Sequence, residues 1–194
     1  MPDVIETATT ARAKCRACEK TIGKGELRYG EAYENPYGEG EALRWYHLEC
    51  AALRLPDRAP AVLEASAPEA DRARLLALAA EGNEHPRLAR VGGVERASSG
   101  RSHCRGCREL IEKGAVRVTL QMREEGRFNP AGFVHAKCLA TYAECPTEAA
   151  EKRVSYYTAE LDDATREELL TAIRTSNPGT PGSSEEKSGE EAAS

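Results

Sequence analysis

The hydrophobic pattern divides the chain into short strands, short helices and polar connections. Residues 26–33 alternate loosely at period two and predict a strand. Asn35-Pro-Tyr-Gly-Glu-Gly40 predicts a turn, and residues 42–46 return as a second strand that delivers His47 to a helix ending near Leu53. Leu55-Pro-Asp-Arg-Ala-Pro60 stops that helix, and Glu69 to Ala80, with Leu75, Leu76 and Leu78, predicts the next. The second half runs in a similar order. Residues 115–122 predict a strand, 123–130 a loop, 134–142 the start of a helix and 155–157 an extended piece. Asp163 to Arg174 predicts a last helix, with Thr165 and Glu168 at capping-box spacing. Three segments lack such a pattern. Residues 1–10 predict a flexible N-terminus, 81–98 a linker, and 176–194 a disordered acidic tail of Ser, Gly, Pro and Glu.

The cysteines account for the recurring order. Cys15-Arg-Ala-Cys18 is followed after 28 residues by His47-Leu-Glu-Cys50, and Cys104-Arg-Gly-Cys107 after 27 residues by His135-Ala-Lys-Cys138. Six of the seven cysteines and two of the four histidines fall in this repeat. The same offset aligns Ile22-Gly-Lys-Gly-Glu-Leu-Arg28 with Ile111-Glu-Lys-Gly-Ala-Val-Arg117, and Arg12 with Arg101. The chain therefore predicts a small α+β protein of two tandem Cys3His zinc-stabilised modules, residues 11–80 and 99–175. Each is expected to hold a short antiparallel sheet, a ligand-bearing helix and a C-terminal helix.

C-x2-C makes a tight knuckle whose two thiolates converge, and H-x2-C sets an imidazole and a thiolate on one helix face. Three thiolates and one imidazole close a tetrahedral site with no position open for water. The expected cofactor is two structural Zn2+ ions, one on Cys15, Cys18, His47 and Cys50, the other on Cys104, Cys107, His135 and Cys138. A redox pair at each C-x2-C is the competing reading. It leaves both H-x2-C pairs unexplained, and neither cysteine pair lies in a βαβ pattern. Iron–sulfur ligation more often takes four cysteines.

Composition sharpens this. With two Phe and one Trp in 194 residues, two small modules have thin cores and need a metal staple. No stretch approaches the roughly 18 apolar residues that span a bilayer. Met1-Pro-Asp-Val-Ile-Glu lacks the basic-then-apolar order of a secretory signal, so a reducing, intracellular setting is expected. The net charge is -5, but residues 159–194 carry 3 basic and 9 acidic side chains while 99–158 carry 10 and 7. Acidity is thus concentrated at the C-terminal end, and the second module is mildly basic.

C-x2-C, Ile-x-Lys-Gly-x-Leu-Arg, a long loop and then Trp45-Tyr46-His47-x2-Cys50 resemble the zinc finger of poly(ADP-ribose) polymerases, with a related finger in a DNA ligase. Ser99-Gly100-Arg101-x-x-Cys104 resembles the start of such fingers, and the tandem resembles the polymerase N-terminal region. The second module departs at Phe133-Val134-His135. The resemblance implies a finger that grips phosphates beside a DNA strand break and stacks loop side chains on the exposed base pair. By position it implies Arg12, Arg28, Arg101 and Arg117 as phosphate contacts, where a guanidinium bonds in a bidentate, charge-assisted way. Its stacking loop falls at Phe128 and Pro130, flanked by Arg123 and Arg127, in the second module, and at Tyr37, Ala42 and Leu43 in the first. Phosphate contact without base readout is blind to sequence, and stacking contributes about 1–3 kcal/mol per base. The family's transferase domain is not expected among these residues, since too few follow residue 175 to form it.

The expected function is zinc-dependent recognition of DNA breaks, nicks or ends, in DNA damage and repair. The expected location is on DNA, in a nucleus or a nucleoid. Expected partners are DNA and a repair enzyme or other protein, with no membrane and no small-molecule substrate. A two-finger protein-interaction adaptor that does not bind DNA is the alternative, favoured by the net acidic first module. No enzyme is expected, because both zinc sites are closed and no nucleophile motif or Gly-rich phosphate loop is present. Trp45 and Tyr46 are expected to pack the finger core, and Cys145 to be an idle spare thiol.

Overall fold

A computed structural model describes residues 2–34 and 40–175. Met1, residues 35–39 and the tail 176–194 lie outside the described residues, and with them most of the expected turn, Tyr37 and the expected disordered tail.

Two antiparallel sheets organise two cores. In the first, β1 (Val4–Thr7), β2 (Leu27–Glu34) and β3 (Glu41–His47) pair in that order. Strand β1 corrects the expected flexible N-terminus. Ile5 packs on the first core. The Asp3 carboxylate accepts from the Tyr29 hydroxyl at 2.5 Å, the Ala32 N–H at 2.8 Å and the Arg58 guanidinium at 2.7 Å. Helices α1 (Leu48–Arg54), α2 (Ala59–Ser66) and α3 (Glu69–Glu84) complete this module. Leu75, Leu78, Ala79 and Gly82 form the buried stripe of α3, at the spacing of a helix face turned to a core.

The second module begins earlier than its cysteines suggest. A 3-10 turn (Pro86–Arg90) leads to β4 (Val91–Arg96), followed by β5 (Ser102–His103), β6 (Leu110–Ile111), β7 (Val116–Glu124) and β8 (Arg127–His135). The main sheet runs β4-β7-β8, so residues 81–98 are structured and not a linker. Val91 is fully buried in the second core. A further 3-10 turn (Ala136–Cys138) and helices α4 (Leu139–Ala143), α5 (Thr147–Ser155) and α6 (Asp163–Arg174) follow.

Three local expectations change. The expected loop at 123–130 is a hairpin in which Glu124 pairs with Arg127. Its linking residues Glu125 and Gly126 have φ of 50° and 73°, the backbone of a two-residue primed turn that suits the twist of a hairpin. Residues 155–157 end α5 and do not extend. Asp162 caps α6, accepting from the Thr165 N–H at 2.9 Å and its hydroxyl at 2.8 Å, so Thr165 serves the cap and is not itself the cap.

The modules pack together. Arg153 of α5 is 0% exposed and donates to the carbonyls of Leu53 at 2.7 Å and Leu88 at 3.2 Å. Arg54 donates to the Val91 carbonyl and to Gln121 Oε1, both at 2.9 Å. A buried donor without an acceptor costs about 1–3 kcal/mol. Carbonyls at the end of α1 and along residues 88–91 supply acceptors for part of each guanidinium, while Arg54 Nε and Arg153 Nε and Nη2 are buried without one, so the geometry of these few bonds fixes how the two modules meet. Among the described residues no helix is long and apolar enough to cross a membrane.

Candidate metal centres and the surfaces around them

Each knuckle is built the same way. In the first, Cys15 N–H donates to the Lys20 carbonyl at 2.9 Å and Glu19 N–H to the Cys15 carbonyl at 2.8 Å. In the second, Cys104 N–H donates to Glu109 and Arg108 N–H to Cys104, at 2.8 and 2.9 Å. Glu19 and Arg108 both take positive φ, 60° and 69°. The knuckles are tied to their sheets by Arg16 N–H on the Trp45 carbonyl and Arg105 N–H on the Phe133 carbonyl, at 2.9 and 2.8 Å. That bond brings the Cys pair against the strand that ends in the His ligand.

Cys15, Cys18, His47 and Cys50 each place one donor atom within 4.8 Å of the others, as do Cys104, Cys107, His135 and Cys138. The Sγ atoms of Cys18 and Cys50 lie 3.4 and 3.8 Å from His47 Nδ1. Those of Cys107 and Cys138 lie 3.4 and 3.9 Å from His135 Nδ1. A tetrahedral zinc with bonds of about 2.3 Å to sulfur and 2.0–2.1 Å to nitrogen separates its ligands by about 3.5–3.8 Å. Donor type, number and spacing fit a closed structural zinc in each module. His47 and His135 close strands β3 and β8, while Cys50 lies in the first turn of α1 and Cys138 in a 3-10 turn. The His and Cys of each pair are therefore set by a strand end and the turn after it, not by one helix face.

The surroundings favour thiolate at Cys15 and Cys104 and oppose it at a neighbour in each site, where the Cys15 and Cys18 thiols raise Cys50 and burial first of all raises Cys138. Around Cys104, burial raises the thiol, but N–H groups of Cys107, His135 and Gly106 outweigh it and hold the thiol below its ordinary value. Gly106 N–H and His135 N–H each lie 3.3 Å from that sulfur. Cys15 is held at about 3, first by the Cys18 and Cys50 thiols and then, against burial, by N–H groups of Cys18 and His47. With Nδ1 given to metal, His135 carries its proton on Nε2 and donates to the Leu110 carbonyl at 3.2 Å, which orients the ring.

An arginine stands opposite each ligand histidine, Arg28 across from His47 and Arg117 across from His135. The Arg28 guanidinium lies 3.5 Å over the Trp45 ring and bonds Glu6 at 2.5 Å. The Arg117 guanidinium lies 3.5 Å over Phe133 and bonds Glu95 at 2.5 Å and Ser102 at 3.1 Å. Their side chains are 12% and 6% exposed, so each stacks as part of the module and presents little surface. Tyr46 is buried as expected, its hydroxyl donating to Glu31 at 2.8 Å. Cys145 packs half-buried on the second core, and burial first of all pushes its thiol up to about 11.

The other expected DNA contacts separate into two groups. Arg12, Arg101 and Arg127 are exposed. Arg123 and Phe128 correct the expectation, because both point from one face of the β7–β8 hairpin into the first module. Arg123 pairs with the buried Glu31 carboxylate. The Phe128 ring meets Tyr46 edge-on at 6.4 Å and carries the Arg54 guanidinium 4.2 Å above it. Arg123 and Phe128 are partners across the hairpin, so strand alternation sends both to the same side. Ala42 and Leu43 are half-buried on β3, and Pro130 is exposed on β8. Arg16 and Arg44 were not expected at a site, yet with Arg12, Lys14, Leu43 and Trp45 they line a cleft of about 540 Å³. The repeated Cys-Arg-x-Cys, with Arg16 and Arg105 in equal places, was the signal for Arg16, and the sequence carried none for Arg44.

Residues 6–72 match the family model described as poly(ADP-ribose) polymerase and DNA-ligase Zn-finger region. Poly [ADP-ribose] polymerase 1 of Oryza sativa subsp. japonica is 27% identical over 143 residues, which covers 70% of this chain and 15% of that protein. Its namesake in Danio rerio is 28% identical over 128 residues, 59% of this chain and 13% of that protein. The namesake in Arabidopsis thaliana is 44% identical over 46 residues, 24% of this chain and 4% of that protein. The chain thus spans 13–15% of the length of the first two relatives. An alignment of 143 residues exceeds the first module and reaches into the second. The family match falls on the first module and spans its four candidate zinc ligands, Cys15, Cys18, His47 and Cys50.

Proposed function

We propose that this chain is a zinc-dependent, sequence-independent DNA-binding unit that recognises strand breaks, nicks or ends and catalyses nothing itself. The observation that carries the reading is the repeated placement of arginines on the zinc knuckles. Arg12 and Arg16 in the first module, and Arg101 and Arg105 in the second, are exposed, and none has a carboxylate partner among the described residues. The zinc and the knuckle hydrogen bonds hold the backbone that carries them, so little ordering is needed when a phosphate arrives. Guanidinium groups fixed on such a frame suit phosphate oxygens and leave base edges unread. The relatives' names and the family description support the reading, since they place this type of finger in polymerases of ADP-ribose and in DNA ligases. An intracellular, DNA-associated location goes with it.

The test is fluorescence anisotropy with zinc-loaded protein at two salt concentrations. One titrant is a nicked duplex, the other the same duplex intact with both ends closed by hairpins. Preference for the nick, weakening with salt, is the expected result. Equal binding to both overturns break recognition, and binding to neither moves the function to a protein partner.

A further inference from the structure

The segment between the two cysteine clusters supplies side chains as well as spacing. Its 3-10 turn (Pro86–Arg90) is locked to the second module: Arg87 donates to the Tyr142 carbonyl at 2.9 Å and pairs with Glu144 at 2.7 Å. The turn thereby sets Arg90 beside β8, where Arg90 and Arg105 line a cleft of about 410 Å³ with Met122, Asn129, Pro130 and Tyr142. Arg90 makes one long contact, 3.5 Å to the Tyr142 hydroxyl, and neither arginine has a carboxylate partner among the described residues. Glu124 is the one acid in the lining, and Asn129 Nδ2 occupies its carboxylate at 3.0 Å.

The backbone is shaped to let Arg105 in. Gly132 has a φ of 102°, and a Cβ there would meet Arg105 Nε at 2.8 Å, so the arginine lies across the bare strand. Hairpin geometry then sorts the faces. Arg123 and Phe128 are spent on the first module, while Met122, Glu124 and Asn129 line the cleft. At the tip, Gly126 abuts the Arg44 guanidinium, and Arg44 lines the first module's cleft with Arg12 and Arg16. The hairpin therefore joins the two arginine-lined clefts.

We propose that Arg90 and Arg105 form a second binding site for a DNA backbone phosphate, built jointly by the inter-cluster turn and the second module. It rests on the DNA-binding reading above and extends it to a residue outside both cysteine repeats. Two guanidiniums on one cleft suit the oxygens of a single phosphodiester. A duplex held by the first cleft reaches this one along the hairpin.

The experiment compares the full zinc-loaded chain with Arg90→Gln, Arg105→Gln and the double variant, binding a nicked duplex over a salt series. Arg174→Gln serves as the control for a lost charge elsewhere, since Arg174 pairs with Glu151 on the far helices. Zinc content and circular dichroism are expected to be unchanged in all. The slope of log affinity against log salt is expected to fall by about 1 in each single variant and about 2 in the double. Slopes equal to the Arg174→Gln control, with the unmodified protein binding well, overturn the second site alone. Absence of binding by the unmodified protein overturns the DNA reading itself.

Discussion

In the first module Arg28 lies over Trp45 and bonds Glu6; 89 residues later Arg117 lies over Phe133 and bonds Glu95. The match includes the edge strands, where Ala8 N–H donates to Glu26 and Ala97 N–H to Ala115, at 2.8 and 2.9 Å. It fails at the other end of the sheet. Residues 35–40 separate β2 from β3, whereas only Glu125 and Gly126 separate β7 from β8. The shorter connection makes a stiff hairpin, and its inward face is spent on Glu31, Tyr46 and Arg54 of the first module. It also fails at the N-terminal edge, where Asp3 pins β1 and its counterpart by offset, Gly92, has no carboxylate. The zinc ligands and the stacked arginine recur in both copies, with Phe133 and Val134 in the places of Trp45 and Tyr46. The residues that differ decide which face of the hairpin is covered by the other copy and which is left open.

The largest expected effect bears on what the copies share. Structural zinc contributes roughly 10–16 kcal/mol of binding free energy in isolated fingers. Chelation is therefore expected to unfold both modules, read as loss of helix and strand signal in circular dichroism. A metal-free protein that kept its native spectrum would contradict the shared zinc framework.

A smaller effect addresses the difference between the hairpins. Phe128→Ala is expected to lower unfolding stability by about 2 kcal/mol, less than a fully buried Phe would, and to leave affinity for a nicked duplex unchanged. A tenfold loss of affinity at constant stability would return Phe128 to the DNA surface.

Next come the exposed arginines. Arg12→Gln and Arg101→Gln are each expected to reduce the salt slope of DNA binding by about 1. A drop in only one variant would show that the equivalent positions do different work.

The smallest effect is confined to the first module. Burial raises the Asp3 carboxyl, but bonds from Arg58, Tyr29 and Ala32 outweigh it and set the folded value below the ordinary 3.8. The unfolded chain then binds the proton more tightly than the folded one. The contribution is complete above 3.8 and is lost as pH falls through the lowered folded value. Amide exchange in β1 is expected to accelerate over that acid range in the native protein and to lose this pH dependence in Asp3→Asn. An unaltered profile in Asp3→Asn would remove Asp3 as the pin.

The zinc ligands were legible because C-x2-C and H-x2-C are local spacings that repeat. Helix α6 was legible for the same reason, with Leu169 and Ile173 one turn apart. Strands β1 and β4 were missed because each is a short edge strand whose partner lies some twenty residues along the chain. Ile5-Glu-Thr-Ala8 against Val94-Glu-Arg-Ala97, at the repeat offset, was the available signal. The placement of Arg123 and Phe128 was not legible. Alternation shows that they share a face, but only the docking of two modules shows what covers it. Arg90 escaped notice because a turn rich in Pro, Arg and Gly reads as a connection until its tertiary contacts are known.

The most direct test of the account is amide hydrogen exchange of the zinc-loaded chain with and without a nicked duplex. Added protection is expected at the two knuckles, around Arg12–Cys18 and Arg101–Cys107, larger than any at the hairpin residues 123–128. Protection that appears at 123–128 while the knuckles stay unchanged would contradict it.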